Sequence, residues 1–146
     1  MCSATPRRIW VDDDSPTTYR AAGIPTQHTR AICGDALDML PRLADRGYDL
    51  VFVDGDEHEY GEYVTQALRL LRTDGVLIVN NMLWHGRVAD PAARDETTVL
   101  LRDLGKELRD DERLEVALLP VGGGADPHRQ VVGDVLHRVA VVGVAV

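Results

Sequence analysis

Tyr48-Asp49-Leu50-Val51-Phe52-Val53-Asp54 and, one helical stretch later, Val76-Leu77-Ile78-Val79-Asn80-Asn81 decide the fold of this chain. Both are apolar runs without alternation, the pattern of strands covered on both faces, and each stops at a residue able to bind a ligand. Between them lie an acidic loop (Gly55 to Glu59), an amphipathic helix from about Tyr60 to Arg72 with Tyr63, Ala67, Leu70 and Leu71 on one face, and a turn at Asp74-Gly75. Strand, helix and strand of these lengths predict a right-handed crossover in a parallel sheet. Ligands of open α/β sheets sit at the carboxyl ends of the strands, so Asp54 and Asn80-Asn81 are expected to converge on one crevice.

Working outward, Ile9-Trp10-Val11 reads as a short strand running into Asp12-Asp13-Asp14, and Ser15-Pro16 starts a short helix ending near Ala22-Gly23. Thr29 to Cys33 suits another strand, followed by Gly34-Asp35-Ala36 and a helix from about Leu37 to Asp45. Beyond the central unit come a loop from Met82 to Ala93 and a helix over about Arg94 to Arg109, begun by Pro91. Its apolar stripe is Val99, Leu100, Leu104 and Leu108, and Gly105 weakens it by about 1 kcal/mol relative to alanine. Leu114 to Leu119 reads as a strand, Gly122-Gly123-Gly124 as a turn, and Val135 to Val146 as a terminal strand. The pattern is α/β, doubly wound and Rossmann-like, in one domain over 1–146.

Composition narrows the function. Aromatic residues make up 5% of the 146 residues, so aliphatic side chains fill the core. A net charge of −8 with no basic stripe disfavours nucleic acid. No apolar run approaches the roughly 18 residues a bilayer span needs. Cys2 and Cys33 make no disulfide framework, and without a signal-like segment after Met1 the expected compartment is cytoplasmic and reducing.

Five segments then carry a resemblance. They are Gly34 to Pro41, Tyr48 to Asp54, Ala67 to Leu71 with Gly75-Val76-Leu77, Leu83-Trp84-His85-Gly86-Arg87-Val88-Ala89-Asp90-Pro91, and Asp111 to Leu114 through Leu118-Leu119-Pro120-Val121-Gly122. In this order and spacing, the stretch from about Ala22 to Gly122 resembles the C-terminal two thirds of the catechol and caffeoyl-CoA type O-methyltransferases. That resemblance implies S-adenosylmethionine as cofactor and a small hydroxylated acceptor. Asp35-Ala36 is similar to the pair that flanks the adenine, although an aspartate there reads equally well as a helix N-cap. Asp54 resembles the carboxylate between methyl donor and divalent metal (Mg²⁺ or Ca²⁺), and Asn80-Asn81 falls where the family has an Asp-Asn pair completing the metal site.

Three departures from the family pattern bear on activity. Asn80 replaces a carboxylate, and a hard cation facing one charge instead of two is held far less well. Glu57 stands where metal-dependent members carry a lysine that helps deprotonate the acceptor, and Lys106, the only lysine, belongs to a distant helix. Glu57 and His58 are the candidate catalytic residues; His58 suits a base, with a solvated loop residue as its bland reading. Third, the family's glycine-rich cofactor loop is not found ahead of Ile9, so the methyltransferase-like sheet is expected to be incomplete at its N-terminus. Leu50 to Val53 would then present an unpaired edge, to be filled by the Val135 to Val146 tail or by a second subunit in a homo-oligomer.

Two rivals remain at this level. One is a non-catalytic methyltransferase-like remnant acting as a binding or oligomerisation module. The other is a receiver-like signalling domain, suggested by Asp12-Asp13-Asp14 and Asp54 but lacking the lysine its chemistry needs.

Overall fold

A computed structural model of the chain describes residues 8–10, 29–32, 34–119 and 140–144, with Ala21, Gly23, Pro25 and Gln27 as isolated positions. The Ser15-Pro16 helix start, the Asp12-Asp13-Asp14 run and the Gly122-Gly123-Gly124 turn lie outside the described residues. Two short strands, β1 (Arg8–Trp10) and β2 (Thr29–Ala31), pair in parallel. Helix α1 (Ala36–Met39) is shorter than the sequence suggests and tightens into a 3₁₀ turn, Leu40–Arg42, where Pro41 cannot donate a helical hydrogen bond. Arg69 secures that turn, donating to the carbonyls of Leu40 (2.7 Å) and Leu43 (3.0 Å) and pairing with Asp45.

Strand β3 (Tyr48–Val53), helix α2 (Tyr60–Leu70) and strand β4 (Leu71–Val79) form the expected parallel crossover. The helix buries Tyr60, Val64, Ala67 and Leu70; of the predicted stripe Ala67 and Leu70 are among these, Leu71 is buried as the first residue of β4, and Tyr63 is only partly covered. The expected turn at Asp74-Gly75 is instead an irregularity within β4, where the register against β3 shifts and Asp74 takes φ 60°. A Cβ on Gly75 would lie 2.8 Å from the Arg72 carbonyl oxygen and 3.0 Å from Leu71 Cδ2. Gly75→Ala should therefore lower stability by about 1–3 kcal/mol, read as a reduced urea midpoint at unchanged slope.

Helix α3 (Glu96–Asp110) lies within two residues of the expected span, and the Asp95 side chain caps it by accepting from the Thr98 backbone amide at 3.1 Å. Packed against the core, it turns Thr98, Leu101, Leu104 and Leu108 inward, and leaves Val99 and Leu100 of the predicted stripe only partly covered. Strands β5 (Leu114–Leu118) and β6 (Ala140–Val144) complete a four-stranded sheet of order β3-β4-β6-β5, with β6 antiparallel to both neighbours. The core joins β3 and β4 to α2 and α3 through Val53, Tyr60, Val64, Leu77, Val79, Met82 and Leu101.

The described part of the tail thus enters between β4 and β5 and does not cover β3. Among the described residues, the β3 edge remote from β4 has no partner strand, and Leu50 on it is 52% exposed. No helix of the described residues is long and apolar enough to cross a membrane.

Candidate functional site

Parallel register places the central pair. Leu50 to Val53 align one for one with Val76 to Val79, so the next residue of each strand, Asp54 and Asn80, emerges at the same level. The Asn80 amide N–H continues the ladder to the Val53 carbonyl at 2.9 Å. Asn80 is 8% exposed, and its Nδ2 donates to Asp54 Oδ1 at 2.8 Å. Asn81 then takes φ 59°, a left-handed conformation asparagine tolerates, and its Nδ2 donates to Glu57 Oε1 at 3.0 Å. Two carboxylates on the β3 side are thereby matched by two amides on the β4 side.

The acidic loop is more ordered than the sequence suggests. Asp56 caps a 3₁₀ turn, Glu57–Glu59, by accepting from the His58 amide at 2.9 Å. Gly55 lets the ring of Tyr63 lie against the backbone just beyond Asp54, where an added Cβ would approach Tyr63 Cε2 to 3.1 Å. The Tyr63 hydroxyl donates to Glu59. Burial, and then that bond, push its phenol well above the ordinary value. His58 is exposed and turned toward the first turn of α3, its Nε2 3.3 Å from Thr97 Oγ1.

Tyr60, fully buried beneath this loop, escaped the sequence analysis as a site residue because its position reads as core. Burial raises its phenol far above the usual range, and the charges of Glu57 and Asp54 add to the shift; a smaller opposing effect comes from the Gly55 backbone. Tyr60 is therefore neutral at any physiological pH and excluded as a base.

The loop after Asn81 forms the other wall. It contains a 3₁₀ segment, Trp84–Ala89, in which Trp84 (φ 44°), His85 (φ 54°) and Gly86 (φ 86°) are all left-handed. Arg102 of α3 holds it, donating to the carbonyls of Val88 (3.1 Å) and Asp90 (2.9 Å). Arg87 donates to Asp95 Oδ2 at 2.5 Å. The Arg87 bond, followed by that from Thr98, keeps the Asp95 carboxyl well below the usual carboxylate range. Neither Arg102 nor Asp95 has a sequence signal beyond helix composition.

Asp35 makes no described hydrogen bond to this group, although its charge adds to the rise of the Tyr63 phenol. Its Oδ1 accepts from the amides of Leu37 (2.8 Å) and Asp38 (3.3 Å), the N-cap arrangement, with Ala36 as the first helical residue. Asp54, Asn80 and Asn81, to which the resemblance assigns a divalent metal, do not fit one in this arrangement. Asn80 turns its donor toward Asp54, and among the described residues no group of three or more His, Cys, Asp or Glu side chains could hold a metal ion.

Comparison with known proteins agrees with this architecture. Residues 17–131 match the family model described as O-methyltransferase. A curated relative from Mycobacterium avium, named for O-methyltransferase activity, is 45% identical over 106 residues, covering 73% of this chain and 48% of its own. The chain spans about half the length of the curated relatives it matches. A crystal structure from Corynebacterium glutamicum superposes with a TM-score of 0.75 at 29% identity, over 90% of this chain and 54% of that one. The O-methyltransferase TomG of Streptomyces achromogenes, solved in complex with SAM, gives 0.69 at 25% identity over 94% of this chain and 60% of its own. With the family model matching well over half its length, the chain belongs to the O-methyltransferase family.

Proposed function

We propose that this chain takes part in methyl transfer from S-adenosylmethionine to a hydroxyl of a small-molecule acceptor. The observation that carries the reading is the convergence of Asp54 and Asn80 at the carboxyl ends of two parallel strands, in a chain of this family. Such a crevice suits a cofactor bearing a cationic sulfonium beside the Asp54 carboxylate. In the transfer the acceptor oxygen attacks the methyl carbon in line, the carbon–sulfur bond breaks with its electron pair passing to sulfur, and the hydroxyl proton leaves to a base. Of the two candidates, Glu57 is engaged by Asn81, and exposed His58 has the freer ring; we assign the proton to His58. Of the chain's own residues, the reading gives Asp54 to the sulfonium and, by the family resemblance alone, Asp35-Ala36 to the adenine.

Titration calorimetry with S-adenosylmethionine tests this. The 146-residue chain should bind weakly, saturating only at high ligand concentration, since the Asp35 carboxylate is already spent on its own helix. Asp54→Ala should weaken binding at least about tenfold, the loss of the carboxylate that faces the sulfonium charge. Equal affinity in the two proteins would remove Asp54 from the cofactor site.

A further inference from the structure

We infer that the paired amides of Asn80 and Asn81 stand in for a divalent cation, clasping the carboxylates of Asp54 and Glu57 so that the site keeps its shape without metal. The inference concerns the site proposed above but rests on geometry alone, and stands whether or not methyl transfer is observed.

A carboxylate is purely an acceptor, so an amide meeting it must present Nδ2; with the oxygen turned inward, lone pair would face lone pair. Chemistry thus fixes both amides in the orientation seen, 2.8 Å from Asp54 and 3.0 Å from Glu57. In that orientation Asn80 Oδ1 points away from Asp54 into a buried position with no hydrogen-bond partner. An Asn80 poised to ligate a cation would instead share it with Asp54 through that oxygen. The unpartnered oxygen is the cost of committing the donor to Asp54. The two bonds tie the end of β3 and the turn after it to the end of β4, the link a cation shared by carboxylates on both strands would otherwise make.

The test follows melting of the full chain, wild type and Asn80→Asp, in EDTA and in rising MgCl₂ or CaCl₂ at matched ionic strength. Wild-type Tm should be the same in EDTA and in millimolar cation. Asn80→Asp places two carboxylates against each other, so its Tm should be lowered in EDTA and climb with cation concentration. Asn80→Leu, which removes the donor and offers no ligand, should melt low and ignore the cation. A wild-type Tm that rises with Mg²⁺ or Ca²⁺, or an Asn80→Asp protein as indifferent to them as wild type, overturns the clasp. Should Asn80→Asp fail to fold, calorimetric titration of Mg²⁺ into wild type decides: no saturable heat supports the clasp, and saturable binding defeats it.

Discussion

Tyr60→Ala should cost about 3–5 kcal/mol, the range for truncating a large aromatic in a packed core, while Tyr60→Phe should cost nothing or stabilise slightly. The contrast follows from the two ends of the side chain. Its ring is fully buried against the β3–β4 core, so deleting it leaves a cavity under the loop that carries Asp54 and Glu57. Its hydroxyl is buried with no well-formed hydrogen bond among the described residues, the Gly55 backbone acting on it only weakly, so phenylalanine removes a poorly satisfied group and keeps the packing. Urea unfolding of the three proteins measures both effects. A Tyr60→Phe loss comparable to Tyr60→Ala would mean that the hydroxyl is held by a bond essential to the fold.

Arg102→Met should cost about 1.5–3 kcal/mol and loosen the 84–93 segment before the rest of the molecule opens. Methionine retains most of the apolar stem but none of the donors that reach the Val88 and Asp90 carbonyls. That segment carries Trp84, His85 and Gly86 in left-handed conformations, which for Trp84 and His85 costs energy that surrounding contacts must over-determine. Arg102→Lys should rescue little, because one ammonium cannot reproduce a planar fork spread over several carbonyls. Hydrogen exchange should quicken at residues 84–93 in Arg102→Met and stay unchanged in α2. Exchange unchanged throughout would show that the wall is held by its backbone alone.

Much of the framework was legible in the sequence because the central unit is locally consistent. Apolar runs, an amphipathic interval and strand-end polar residues all specify the same crossover, and its register brings Asp54 to Asn80 without further information. Caps and buried faces were lost where side-chain bonding and packing outweigh composition. The cap of α3 was settled by the Asp95 carboxylate meeting the Thr98 amide, and packing of the helix on the core selected Thr98 and Leu101 over Val99 and Leu100 for the buried stripe. The same local bonding decided Asp35, whose two readings could be separated only by seeing which amides it accepts from. The Glu57–Asn81 pair was invisible because it depends on Asn81 turning left-handed, a backbone choice that asparagine permits but does not announce. The tail was misplaced for a different reason. An apolar strand at the end of a sequence pairs equally well with any open edge, and only the β5–β6 antiparallel connection selects the β4 side.

That placement governs the order in which the molecule can assemble during synthesis. β5 leaves the ribosome well before β6, yet within the sheet it reaches β4 only through β6. Until residues 140–144 are made, the nascent chain can close the β3–α2–β4 unit but must hold one side of β4 without its strand partner, an invitation to chaperones or to wrong pairing.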